Sequence, residues 1–266
     1  ALSNVIVNVD DVNDVEITNV KIGSGLSLST SGGDVMTIVG TDFGLTDGTS
    51  TNVVVTYFRR NSVVTPFTTT GCQVVVLNTM INCTTASDGY GTDLLVKVVI
   101  SGTANGEATS SSDAVIRFQQ PVITSVSTVS ATPMPTMGSG TQNVILTGKN
   151  FGPTGITWKA EYGISRSAGY CATGCTVTIA HKEIRCKSQS GVGSGHTWRL
   201  MLDQDGEGTS FYESLSSEGS TSYAASTVIK VSTEGGSNID TKGGDSLTLE
   251  GENFGASSHT LAHCNG

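Results

Sequence analysis

The chain has 266 residues, with 14 basic against 23 acidic side chains, a formal charge of −9 and a pI near 4.8. That balance repels phosphate backbones and no Lys/Arg cluster offsets it, so nucleic acid is excluded as an expected partner. Only 14% of residues are charged while 36% are hydrophobic. Valine and threonine runs take the place of helix-period patterns, which excludes wholesale disorder and predicts an all-β chain. Nothing approaches about 18 consecutive apolar residues, so no membrane-spanning segment is expected. Beginning at Ala1 without an initiator Met or signal-peptide pattern, the chain reads as a processed or truncated form.

The first predicted element is a strand in NVIVNV, residues 4–9, with Val5, Ile6, Val7 and Val9 as its apolar members. An acidic run follows. Clustered carboxylates at a domain junction can bind calcium, which makes Asp11, Asn13 and Asp14 the metal candidates. The corresponding boundary later in the chain, at Gln119 and Gln120, carries no acids, so a repeated calcium joint is not expected and no cofactor is assigned.

A repeat then becomes visible, with a period near 106 residues. ITNV at Ile17, ITSV at Ile123 and VIKV around Ile229 open three units. In each, an apolar strand runs into Gly-x-Asn/Asp-Phe-Gly: Gly40, Asp42, Phe43, Gly44; Gly148, Asn150, Phe151, Gly152; Gly251, Asn253, Phe254, Gly255. The glycines are expected to permit positive φ in a tight turn, with the Phe as a core plug. Units one and two continue in parallel. NVVVTY matches ITWKAEY, GCQVVVLNTMINC matches GCTVTIAHKEIRC, and GYGTDLLVKVVI matches GVGSGHTWRLML. Alternation puts Leu94, Val96, Val98 and Ile100 on one strand face, as it does Trp198, Leu200 and Leu202. A period this long means whole domains in series. The expected boundaries are 1–16 for a leading strand segment, 17–120 and 121–227 for two full domains, and 228–266 for the opening of a third.

The ordered pattern of opening strand, Phe-Gly turn, cysteine pair and Gly-x-Gly strand resembles IPT/TIG domains, the immunoglobulin-like fold of plexins, some receptor tyrosine kinases, microbial surface proteins and certain transcription factors. The likeness covers units one and two almost completely and the opening of unit three. Unit two departs by inserting SRSAGYCAT before its cysteine pair, and unit one lacks the proline usual near the start. The resemblance implies tandem immunoglobulin-like sandwiches and a surface or binding role, and it names no ligand.

Six cysteines are present. Cys72 with Cys83 and Cys175 with Cys186 repeat one spacing at matching positions, each pair bracketing a strand and its turn. Disulfides there are geometrically plausible and imply an oxidising, extracellular setting; four buried thiols are the rival reading. No C-x2-C pattern supports zinc. Cys171 and Cys264 fall outside the repeat, and could pair together, bridge to another chain, or stay free. Asn82-Cys83-Thr84 is the sole N-x-Ser/Thr sequon, making Asn82 the candidate glycosylation site, and the serine-rich runs near 110–112 and 214–222 are either O-glycan acceptors or solvated loops.

Catalytic signatures are absent. Asp203, Asp205 and Glu207 start like a calcium loop but lack its later ligands, and read as a hairpin turn. His259, His263 and Cys264 read as a polar terminal segment, while His181 and His196 have no nucleophile near them in sequence. The expectation is therefore an extracellular structural or adhesive protein, not an enzyme. The leading strand resembles DAVIRF at residues 113–118, the closing strand of unit one, so the two ends look complementary. Head-to-tail self-association into a fibre is the first expectation, with neighbours' strands completing the third unit. A fragment of a receptor or adhesin ectodomain that binds a protein or glycan is the alternative.

Overall fold

Every regular element among the described residues is a strand, as the β-branched composition requires. The computed structural model describes residues 14–23, 25–44, 53–59, 66–101, 107–109, 115–129, 133–136, 142–165, 168–204, 211–234, 236 and 238–256. The chain divides into two units, Ala1–Gln119 and Gln120–Gly266. No helix among the described residues is long and apolar enough to cross a membrane.

The first unit contains β1 (Glu16–Ile22), β2 (Ser27–Leu28), β3 (Val35–Thr41), β4 (Val53–Arg59), β5 (Phe67–Thr68), β6 (Thr70–Val76), β7 (Met80–Thr84), β8 (Leu94–Ile100), β9 (Glu107–Thr109) and β10 (Arg117–Phe118). They form two four-stranded sheets, ordered β1-β3-β7-β6 and β5-β4-β8-β9, while β10 pairs in parallel with β2. The inward residues of both sheets make one sandwich core: Val20, Met36, Ile38 and Ile81 from the first, Val55, Tyr57, Val96 and Val98 from the second. Leu94, Val96, Val98 and Ile100 are all buried, as their alternation predicts.

The second unit repeats this plan with β11 (Val122–Thr128), β12 (Asn143–Lys149), β13 (Thr157–Ser165), β14 (Ala168–Ile179), β15 (Glu183–Lys187), β16 (His196–Asp203), β17 (Phe211–Glu213) and β18 (Ser220–Thr221). Here the strands run as one path, β11-β12-β15-β14-β13-β16-β17, because β14 pairs with β13 over its first part and with β15 over its last. In the first unit the equivalent strand breaks at Thr69 into β5, which pairs with β4, and β6, which pairs with β7. The Thr69 hydroxyl donates to the Val55 carbonyl at 2.9 Å and its N–H reaches the same oxygen at 3.0 Å, anchoring the break. SRSAGYCAT is not an insertion: Tyr162 faces Tyr170 as Tyr57 faces Phe67, and 11 residues separate Tyr162 from Gly174 against 13 between Tyr57 and Gly71. The segment is the second unit's form of the same strand, with Glu161 opposite Cys171.

The same unit also contains β19 (Thr227–Thr233) and β20 (Leu247–Glu252), an antiparallel hairpin. Its ladder reproduces those of β1 with β3 and β11 with β12. The register places Val228, not Ile229, opposite Gly251, so Val228 is the counterpart of Ile17 and Ile123. Ile229 falls at the bulge, where the earlier repeats carry Thr18 and Thr124, whose hydroxyls donate back to the carbonyls of Val39 and Thr147 at 3.1 Å.

Candidate functional site: an uncovered hairpin face

Each Phe-Gly phrase builds the same turn, and the roles of its residues differ from the sequence expectation. The first glycine does not have a positive φ. It is required by close approach: a Cβ on Gly40, Gly148 or Gly251 would lie 1.9, 1.9 or 2.0 Å from the carbonyl oxygen of Glu16, Val122 or Thr227. The same Cβ would sit 2.5–2.6 Å from Cζ of Phe43, Phe151 or Phe254, so the ring folds back over the bare glycine. Positive φ belongs instead to Asp42 (60°), Asn150 (64°) and Asn253 (61°), and to the closing Gly44, Gly152 and Gly255. Short polar side chains tolerate that region and hydrogen-bond locally. Asn150 and Asn253 each donate through Nδ2 to a carbonyl ahead of the opening strand, Gln120 and Ala225, at 3.1 Å.

In the first two repeats this turn docks on the tip of the next hairpin. Phe43 N–H donates to the Asn78 carbonyl and Asn78 N–H to that of Gly44; Phe151, His181 and Gly152 repeat the arrangement. Asn78 and His181 have positive φ, 58° and 64°, so His181 serves as a turn residue. Phe43 and Phe151 are 1% and 0% exposed beneath this cover.

The third repeat has the turn and lacks the burial. Phe254 is 47% exposed, and Leu249 is 54% exposed where its counterparts Ile38 and Leu146 are at 0%. Val228, Val231 and Leu247 on the same hairpin face are exposed, as is Ile239, the counterpart of the fully buried Leu28. The opposite face is polar, with Lys230 bonded across the ladder to Glu250 at 3.0 Å. This is the amphipathic pattern of a strand pair meant to cover a core. Fully burying such a side chain stabilises by roughly 1.5–3 kcal/mol, and these are already about half covered, so the exposed face represents roughly 5–9 kcal/mol of unused burial. Beside it, Pro135 and Thr136 join Gly251, Asn253, Phe254 and Gly255 around a shallow pocket, and the Thr136 hydroxyl donates to Asn253 Oδ1 at 3.2 Å.

The remaining candidates fall elsewhere. Cys72–Cys83 and Cys175–Cys186 are disulfides, with Cα atoms 4.1 Å apart in each. Both link neighbouring strands at a bulge, where Gly71 and Cys72 oppose Cys83, and Gly174 and Cys175 oppose Cys186. The positive φ of 59° at each glycine turns the cysteine towards its partner. Two such bonds at equivalent places suit an oxidising compartment. Cys171 is also disulfide-bonded; Cys264, its partner on one sequence reading, lies outside the described residues, as do Val5, Ile6, Val7, Val9, Asp11, Asn13, His259 and His263. Asp14 is exposed. Asn82 sits on β7 between β3 and β6, its side-chain oxygen accepting from the Thr37 hydroxyl at 2.9 Å.

Ser214 and Ser217 are not glycan sites. Both are buried, and their hydroxyls accept the N–H groups of Leu200 and Trp198 at 2.9 Å, taking the place of strand carbonyls beside β16. A run of serines carries no signal distinguishing that role from a solvated loop. No protein-family model matches the chain, and no curated protein matches it.

Proposed function

We propose that this chain is a non-enzymatic structural or adhesive protein of the extracellular space, built from IPT/TIG-type immunoglobulin-like domains. Its working surface is the open face of the β19–β20 hairpin, and strands of a neighbouring copy complete the third sandwich in head-to-tail assembly. The observation that carries this reading is the exposure of Val228, Val231, Leu247, Leu249 and Phe254 at positions that are core in one or both of the other repeats. An amphipathic strand pair with an uncovered apolar face and an unmatched edge is a template for added strands. The NVIVNV segment at residues 4–9 supplies a strand pattern like the one that closes the first domain. Non-identical surfaces meeting head to tail generate open filaments when the rotation does not close. The paired disulfides support an oxidising, extracellular setting.

Light scattering and negative-stain electron microscopy of the 266-residue chain test this directly. Concentration-dependent oligomers or filaments are expected, and both Leu249→Asp and deletion of residues 1–13 should abolish them. A chain that stays monomeric at high concentration would overturn the reading. It would favour cover supplied by further polypeptide, as in a receptor or adhesin ectodomain.

A further inference from the structure

The second domain rebuilds the first domain's aromatic core with polar groups. Phe67 lies opposite Tyr57 on the ladder, and Tyr170 lies opposite Tyr162. Phe118 and Tyr223 each cover the first glycine of the Gly-x-Gly phrase, where a Cβ on Gly89 or Gly191 would come within 1.8 or 2.6 Å of the ring. Counting on from those glycines, Leu94 corresponds to His196 and Val96 to Trp198, and all four are buried. So two phenylalanines become tyrosines, and a core leucine becomes a histidine that is 3% exposed.

One loop tether is common to both domains, since Gln189 N–H donates to the Tyr162 hydroxyl at 2.8 Å as Ala86 N–H does to the Tyr57 hydroxyl at 3.1 Å. The added polar atoms extend it, with the Tyr223 hydroxyl donating to the Gln189 carbonyl at 2.7 Å. Val192 N–H donates to the Tyr170 hydroxyl at 3.0 Å. His196 Nε2 lies 3.1 Å from the Val192 carbonyl, which can only accept, so Nε2 carries the hydrogen. The other ring nitrogen, Nδ1, is buried without a hydrogen-bond partner. The imidazole stands edge-on to Tyr170 and Tyr223 at 5.5 Å and to Tyr162 at 6.1 Å.

We propose that His196 is an acid-released latch on the loop at residues 189–195, closed while the ring is neutral and opened when Nδ1 takes up a proton. Protonation converts a packed neutral ring into a desolvated cation with an unmatched donor, and both changes oppose burial. The titratable groups facing the ring are the phenols of Tyr162 from β13, Tyr170 from β14 and Tyr223 beyond β18; β18 itself places uncharged Thr221 and Ser220 across the ladder. Burial holds the His196 pKa below the ordinary imidazole value, against the opposing pull of the Val192 and Gly193 carbonyls. The unfolded chain therefore takes up the proton first. The latch's stabilisation is complete above the ordinary histidine pKa of about 6.5 and is lost as pH falls through the lower folded value.

Both tryptophans of the chain, Trp158 and Trp198, are buried in this domain, so tryptophan fluorescence reads it alone. The melting temperature followed by that signal should fall by several degrees between about pH 7 and about pH 5. His196→Leu, which installs the first domain's residue, should remove most of that fall. Nitrogen-15 NMR of the unaltered chain covers the case in which the variant does not fold: His196 should remain a neutral Nε2–H tautomer at pH values where free histidine is half protonated. Titration at or above the free value, or an acid-induced fall that survives in His196→Leu, would overturn the latch.

Discussion

At the scale of single residues, one side chain type does opposite things in adjacent repeats. Phe151 and Phe254 occupy the same turn and fold over the same glycine, yet the first is at 0% exposure and the second at 47%. Phe151→Ala should therefore cost the second domain about 3–5 kcal/mol by the usual cavity penalty. Phe254→Ala should shift the stability of the isolated chain by only about 0.5 kcal/mol, the range for surface positions. Denaturant unfolding followed by far-ultraviolet circular dichroism, which reads the strands of every domain, compares the two. The Phe-Gly phrase was legible as a turn with an aromatic plug. That the first glycine answers to a carbonyl oxygen that an added Cβ would approach to about 2 Å, and the Asn or Asp to positive φ, was not. Close approach across a ladder depends on the partner strand, which no local pattern encodes.

At the scale of elements, each disulfide closes a short loop between strands that already pair. Breaking Cys175–Cys186 with serine at both positions should cost about 2–4 kcal/mol, since a short loop restricts the unfolded chain by about that much. The expected result is a lower denaturant midpoint read by tryptophan fluorescence, with the β-rich circular dichroism retained. The repeated cysteine spacing and the Val/Ile/Leu alternation made both bonded strands readable in advance. The crossing of β14 from one neighbour strand to another was not readable, because a strand that changes partner keeps the same alternation throughout. His196 was legible in principle. Aligning GVGSGHTW with GYGTDLLV puts it in the column of Leu94, and a histidine in a core column signals a buried polar group.

At the scale of the molecule, charge and the apolar hairpin face pull in opposite directions. Copies carrying −9 repel one another, while in the proposed assembly burial of the uncovered face would attract. Raising ionic strength shortens the screening length to about 8 Å at physiological salt and less beyond it. Self-association should therefore strengthen with added salt, with the opposite salt dependence sinking a contact driven by apolar burial. Light scattering across a sodium chloride series reads the sign. Leu249→Asp should lower association while leaving the tryptophan-detected melting temperature unchanged, which separates loss of the surface from loss of the fold.

The all-β class, the tandem repeats, the equivalent cysteine pairs and the recurring Phe-Gly turns were determined by the sequence alone, because strand alternation, turn chemistry and repetition are local properties of the chain. Burial was decided only in three dimensions. The sequence of the third opening hairpin is as apolar as those of the first two, and only the packing distinguishes a covered face from an open one. The tertiary structure likewise brings Tyr162, Tyr170, His196 and Tyr223 into one cluster, since residues 61 positions apart, Tyr162 and Tyr223, share a hydrogen bond only where the sandwich folds them together.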